Sequence, residues 1–536
     1  MKNIINLLFI GLVLFNQPVV AQGYYWPDSS YNHLSYSIIN RPDNFTYYTN
    51  KCSVLQPDGK LILGGDYDRY GTNLTTSAFI LHRFKTDGTL DSTFGINGIV
   101  TDSIPGMYSF LMTAVAVKQN GNIAILGTAG FCNHCTSIAA AEYLSNGSLN
   151  TAYGNNGHLT YHPSVLGLNT AVLLNDTQWL VGGRLWLNTA QVAKFKADLT
   201  PDSSFGVNGI NTTSLGTYYN EDVYTLKVLN NGKILVGGID KLSNSTAQSL
   251  VYCLKANGTI DSSFGTNGAT TRSIHGIKDV VHRILIQADG KIVVCGDADN
   301  SSISSLNYHL IFAYRLLSNG AIDNSFGTGV YIYNKFSGVN VFADAVQTND
   351  GHIIMAVGGR TAPAQAGKGY FIMLTANGSP DVALGDGLES GIIINGTDET
   401  AVPNAMQIQS DGALLISGAQ SIQLAGPPGI FAQRFSMQYP LGVQNIISKK
   451  SELTVFPNPI GEAGIITVSS ASGFSKIPQF KLYSATGQEL SSLVVLSNTA
   501  YGNATVQVAL PANLSNGFYY IKDAANAKVC KIEVIK

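Results

Sequence analysis

The sequence predicts an all-β protein: a seven-bladed ring of four-stranded sheets closed by an N-terminal strand, followed by a small Ig-like β-sandwich. Three observations carry this reading. A hairpin signal of the form D/N-G-K-[apolar]-G-G recurs along residues 54–436, a D-x-x-[FY]-G-x-x-G loop recurs between its copies, and the chain changes character from Leu453 onward.

The hairpin signal comes first in each unit. At residues 54–65 an apolar strand runs into Asp58-Gly59 and returns as Lys60-Leu61-Ile62-Leu63. Asp-Gly and Asn-Gly suit a two-residue hairpin because both central residues need positive φ. The equivalents are Asn120-Gly121, Asn175-Asp176, Asn231-Gly232, Asp289-Gly290, Asp350-Gly351 and Asp411-Gly412. A glycine follows each returning strand, as in Gly64-Gly65, Gly127, Gly182-Gly183, Gly237-Gly238 and Gly296. Glycine inside a strand marks a bulge or a close backbone approach.

The second signal follows a strand such as Phe79–Phe84. Its acid can take its own loop's N–H groups in an Asx-turn, its aromatic can pin the loop to the core, and its glycines can take positive φ. The acid position is held by Asp91, Asn150, Asp202, Asp261, Asp323 and Asp381, and the aromatic position by Phe94, Tyr153, Phe205, Phe264, Phe326 and Leu384. The missing copy stands at the beginning, where Asp28 and Tyr31 in PDSSYNHLSYSI match the acid and the aromatic. Successive acid positions are then 63, 59, 52, 59, 62 and 58 residues apart. The chain therefore begins with the second half of a unit and ends, near residues 411–436, with a first half. Joining the two ends closes a ring without a raw strand edge. Four strands per unit at this period is the pattern of a β-propeller; an open β-solenoid is the alternative, but its coils are shorter and need no split unit.

Composition sets the limits. The chain has 536 residues, too many for one ordinary core. Charged residues are 12% of it, against about 25% in a typical domain. A net charge of −2 argues against a nucleic-acid partner, which would need a basic face. Residues 1–21 read as a signal peptide: Lys2 supplies the positive start, Ile4–Phe15 the apolar run, and Val19-Val20-Ala21 a cleavage site before Gln22. That run is too short to span a bilayer, and no transmembrane segment is expected further on. An exported protein is the expectation.

The six cysteines are too few for a disulfide scaffold. Cys52, Cys253 and Cys295 fall on repeat strands and read as buried thiols. Cys132 and Cys135 flank a short loop as a candidate local disulfide, with unpaired thiols and a metal site as the alternatives; a metal would need two further ligands.

The repeats stop at Phe435. Residues 22–436 form the propeller, 437–452 a linker, and 453–536 a run of short alternating strands separated by Gly, Asn and Pro, which suggests a small sandwich. Val455-Phe456-Pro457-Asn458-Pro459, Leu482 to Gly487 in LYSATG, and Leu514-Ser515-Asn516-Gly517-Phe518-Tyr519-Tyr520-Ile521 stand in order ahead of a basic terminal strand. This segment resembles the type A sorting domain of the type IX (Por) secretion system of Bacteroidetes. The resemblance implies Pro457, Asn458, Pro459, Gly487, Asn516, Gly517 and Tyr519 as motif positions and the type IX machinery as a partner. It also implies passage from the periplasm through the outer membrane to the outer cell surface or the extracellular medium, with the domain then removed or used for attachment. LDSTFGINGIVT together with QPDGKLILGG resembles the delta-60 repeat of bacterial exported proteins, which implies a propeller and transfers no catalytic residues. Two copies depart from that pattern, one with Asn150 for the acid and one with Leu384 for the aromatic, which puts their loop geometry in doubt.

Motifs of chemistry are scarce. The sequence has no G-x-S-x-G, H-E-x-x-H or P-loop, and its nine histidines share no repeat position, so surface or loop roles are expected for each. Asp66 and Asp68 mimic the start of a calcium loop, but Ser77 stands where the bidentate glutamate would be; solvated loop residues and no cofactor are expected. Trp179 and Trp186 flank Gly182-Gly183 and are the aromatics singled out as candidate ligand contacts, with core packing as the competing role. The leading functional expectation is a non-enzymatic propeller binding a glycan or a protein. An exported polysaccharide-degrading enzyme and a structural surface component are the alternatives.

Overall fold

Apart from one short 3-10 turn at Tyr31–His33, every regular element among the described residues of the computed structural model is a β-strand. The structure describes residues 24–438 except 29, 34–35, 41–44, 70–77, 133–134, 163–164, 186–188, 212–221, 244–245, 276, 300–308, 334–339, 361–366, 382–390, 393–399 and 422–428. It also describes residues 453–534 except 457–464, 471–478, 485–488, 497–504, 512–513, 515–516 and 524–527. The chain divides into two units, Tyr25–Met437 and Gln438–Lys536 with Met1–Tyr24. The leader with its cleavage pair Ala21 and Gln22 lies outside the described residues.

One antiparallel sheet recurs through the larger unit. A clear copy runs Ser109–Val117, Ile123–Cys132, Cys135–Tyr143 and His158–Tyr161 from its inner to its outer edge. Two more run Val165–Leu174 to Ile210–Asn211 and Asn340–Gln347 to Gly391–Ile392. An eight-stranded sheet holds two copies, Asp222–Val228 to Ala269–Arg272 and Lys278–Ile286 to Val330–Tyr333, joined by one parallel pair, Ala247 with Lys278. A further copy pairs Leu61–Arg69 with both Phe45–Tyr48 and Cys52–Leu55 before Ala78–Phe84 and Ile99–Asp102. The remaining sheet contains Thr400–Ile408, Leu414–Ser421 and Gly429–Gln438, and it is completed by Tyr24–Pro27 and Tyr36–Asn40 from the N-terminus. The first strands pack on one another in chain order, and Thr400–Ile408 returns to Cys52–Leu55, so the sheets form a ring with these strands innermost.

Two local devices build the ring. The inner strands from Ser109–Val117 to Thr400–Ile408 each carry a bulge, for example between Val223 and Thr225 and between Val281 and Arg283. The glycine opposite makes room for it: a Cβ on Gly238 would collide with the carbonyl oxygen of Asp222, and one on Gly296 with that of Val280.

The second device joins neighbouring sheets. Asp91 Oδ1 accepts from Thr93 N (3.2 Å) and Oγ1 (2.7 Å), which folds the loop and buries Phe94 completely. Gly95 N then donates to Asn146 O of the next sheet at 2.8 Å, and Gly147 lies on the Phe94 ring. The same joint appears at Phe205 and Gly258, Phe264 and Gly320, and Phe326 and Gly378. At the closure Tyr31 lies against Gly88, Asn32 N donates to Asp87 O at 2.6 Å, and Asp28 pairs with Arg434. Asp28 and Tyr31 thus occupy the acid and aromatic positions of a joint.

Asn150 keeps the loop geometry that its departure from the pattern had put in doubt, with Ala152 N donating to its Oδ1 at 3.3 Å and Tyr153 N to its carbonyl at 2.9 Å. Leu384 lies outside the described residues. Cys253 and Cys295 are buried free thiols and Cys52 a half-buried one. Cys132 and Cys135 are backbone partners at a hairpin end; their side chains, and with them the candidate disulfide, lie outside the described residues.

In the second unit, two antiparallel four-stranded sheets share one core. Leu453, Ile466, Val468, Val506 and Val508 come from one sheet and Phe480, Leu482, Ile521 and Ile532 from the other. Strict alternation produces this: Val506 and Val508 point in while Thr505 and Gln507 point out. Of the motif positions, Gly517 opens the strand Gly517–Asp523 and Tyr519 is buried within it. Pro457, Asn458, Pro459, Gly487 and Asn516 lie outside the described residues. Among the described residues no helix is long and apolar enough to cross a membrane.

Candidate binding wall on the inner strands

The bulges place an extra residue at one level of successive inner strands. Tyr224, His282 and Ala343 hold this position in three successive copies of the repeat, and all three are half-buried. Tyr224 meets the His282 ring edge-on at 5.6 Å, and His282 stacks on Phe342 at 5.6 Å and 9°. Asp297, from the strand behind, holds His282 Nε2 at 3.1 Å. One residue on, Arg283 Nε pairs with Asp344 Oδ1 at 2.9 Å. Asp344 also accepts from the N–H groups of Met406 (2.9 Å) and Ala345 (2.8 Å). Burial raises its pKa, and Arg283 opposes that rise. Lys227 is exposed on the preceding sheet; burial of part of its stem and then Arg283 lower its pKa. Elsewhere on the ring, Asn169 Nδ2 donates to Val223 O at 2.8 Å and Asn404 Nδ2 to Asn50 O at 2.6 Å, tying sheet to sheet.

The wall therefore offers an aromatic edge, an imidazole braced by a carboxylate, and two cations close together. Such a set can stack on a ring, bond hydroxyls and attract an anion. Among the described residues no group of three His, Cys, Asp or Glu stands close enough to hold a metal.

The repeat acids work at the other end of the sheets. Asp91 takes Arg83 at 2.9 Å and Lys60 at 3.2 Å; Asp323 takes Arg315 at 2.8 Å; Asp202 takes Lys194 at 3.1 Å; Asp261 takes Lys233 at 2.6 Å. Where Asn150 replaces the acid the polarity reverses: Glu142 stands in the place of Arg83 and pairs with Lys118. The Ser204 hydroxyl, with Lys194, brings Asp202 down to about 2, and Lys233 with Ser263 does the same for Asp261. A depressed carboxylate pKa adds stability above the unfolded value, near 4, that is lost as pH falls through the folded one. Urea titrations between pH 4 and pH 2 should show each of these two acids withdrawing about 2 kcal/mol; an unfolding free energy that stays level across that window refutes the assignment.

Three sequence expectations change. Trp179 is 2% exposed and packs with Val181, Ala193 and Phe195, so its ring faces the core and not a ligand. Trp186 lies outside the described residues. Asp66 sits within a strand, is buried, and accepts from Met112 N at 2.7 Å, so it is not a solvated loop residue; the Asp68 side chain lies outside the described residues. His82 is 1% exposed, and burial pushes its pKa down to about 3, while His282 lies on the inner wall, so neither has the surface role expected of it. Sequence reading missed Tyr224, His282 and Arg283 because a bulge reverses strand alternation and moves a residue to the opposite face.

Three segments, residues 56–94, 229–264 and 287–326, match the family model described as a domain of unknown function (DUF5122), beta-propeller. The chain is a β-propeller protein. No curated protein matches its sequence. Among solved structures it is similar to a protein of unknown function from Dyadobacter fermentans DSM 18053, at 12% identity and a TM-score of 0.39 over 76% of this chain and 98% of that one. It is similar to polysaccharide lyase Uly1 at 9% identity and 0.43, over 78% and 98%. A third is the α-L-arabinanase of Penicillium chrysogenum complexed with arabinobiose, at 12% and 0.35 over 74% and 98%.

Proposed function

We propose that this propeller, counted as seven blades, is a secreted or cell-surface binding protein that takes a glycan or a protein partner on its inner-strand wall. In the same reading the second unit is an Ig-like sorting domain that delivers the protein through the type IX machinery. The observation that carries the binding role is the pair Tyr224 and His282, the imidazole backed by the buried Phe342 ring, beside Lys227 and Arg283. Aromatic and amide-rich concave walls with a few fixed polar groups are what ligand sites use, and ring stacking with hydrogen bonds suits a sugar.

Purified protein lacking residues 1–21 should retain polysaccharide saturably in a pulldown, without releasing product. Tyr224→Ala should weaken that binding about tenfold or more, as loss of an aromatic anchor does. Retention untouched by Tyr224→Ala and Arg283→Ala would remove the wall from the reading. One observation favours a second reading, a polysaccharide-degrading enzyme: the Asp297-braced imidazole of His282 is built as a proton-transfer group is. Product release abolished by His282→Ala would establish that reading instead.

A further inference from the structure

At the hairpin end of the sheets two repeats hold an arginine in the same slot. In the sheet of Ala78–Phe84, the Arg83 guanidinium lies 4.5 Å over the Phe94 ring. It bonds Asp91 (2.9 Å), Thr93 Oγ1 (3.3 Å) and the carbonyl of Ser145 in the next sheet. Arg315 repeats this with Phe326 at 5.0 Å, Asp323 at 2.8 Å, Ser325 Oγ at 3.2 Å and Ala376 O at 2.9 Å. The same slot exists between these two, with Asp261, Ser263, Phe264 and Ser318 in the places of the acid, the hydroxyl, the ring and the carbonyl. There the arginine position is Cys253, whose side chain stops at Sγ, well short of where a guanidinium would stand. All five residues line a cavity of about 790 Å³.

We infer that this cavity is a binding site for a guanidinium group brought from outside, the side chain of an arginine on a partner polypeptide. Its acceptors are already folded by the repeat. The carboxylate is ready as well: Asp261 Oδ1 is held by Ser263 N and Oγ, and Oδ2 meets Lys233. Lys233 does not close the site, because Asp91 Oδ2 accepts Lys60 and Arg83 together. A ring face, a hydroxyl and a carbonyl around one carboxylate fit the planar fork of arginine better than the point charge of lysine. Lys227 on the same cavity favours an arginine that has a carboxylate beside it. This site shares Lys227 with the inner wall, but its acceptors Asp261, Ser263, Phe264 and Ser318 are not part of that wall, so it does not rest on the inner-wall reading.

The test is a calorimetric or NMR titration of the full-length secreted chain with N-acetyl-arginine, and in parallel with N-acetyl-citrulline, its neutral isostere with the same carboxylate. Saturable binding of the arginine probe, at least tenfold tighter than the citrulline probe, is expected. Cys253→Arg should fill the slot from within and abolish binding without lowering the melting temperature, while Cys253→Ala should keep it. Equal binding of the two probes, no binding of either, or undiminished binding to Cys253→Arg would overturn the inference; the probe comparison alone decides if that variant fails to fold.

Discussion

Removal of residues 22–40 is expected to lower the melting temperature by roughly 10 °C or more. Those residues supply both N-terminal strands that pair with the edge of Gly429–Gln438 away from Leu414–Ser421, and they carry Asp28 and Tyr31 into the joint with Gly88 and Arg434. Tyr31 is 1% exposed, and its loss alone, as Tyr31→Ala, should cost about 3–5 kcal/mol, the range for large aromatic truncations. The deletion adds the exposure of the Gly429–Gln438 edge, whose unpaired N–H and C=O groups invite association. Differential scanning calorimetry on both variants measures this, and a melting temperature unchanged by the deletion would show that the ring does not depend on its N-terminal strands.

Replacing Asp91 by alanine should be nearly as costly, about 3–5 kcal/mol, because it strands a buried cation. The Arg83 side chain is only 6% exposed in its slot. Asp261→Ala should cost less, about 2 kcal/mol, the part its ionised carboxylate supplies, because its partner Lys233 is 41% exposed and rehydrates. Urea unfolding at pH 7 separates the two, and equal losses would mean that burial of the partner is not what sets the cost.

The repeat acids and aromatics were legible because each is needed by a local loop. Asp91 folds its own turn, so spacing alone locates it, and Asp28 with Tyr31 was found by the same spacing far from the other copies. Between sheets the sequence is silent. The Glu142–Lys118 reversal looks like decay at Asn150 until both partners are seen in space, and the vacancy beside Cys253 exists only by comparison with Arg83 and Arg315. For Trp179 the sequence left ligand contact and core packing both open, because a tryptophan at a strand start serves core and surface equally well in pattern. The inner wall stayed hidden for a different reason: Tyr224 and His282 are the residues that the bulges take out of alternation.

The sharing of one sheet by both ends of the larger unit also sets an order of events. Tyr24–Pro27 and Tyr36–Asn40 meet their partner only when Gly429–Gln438 has been made. Through the whole synthesis of the intervening chain the N-terminal strands have no native mate, and closure spans the largest sequence separation in the unit, the slowest kind of contact to form. A chain that stops before residue 400 is therefore left as an open arc of sheets, and one that stops before residue 429 lacks the partner of its N-terminal strands. Ring closure acts as a completeness check: only a propeller finished to its last strand acquires its final joint.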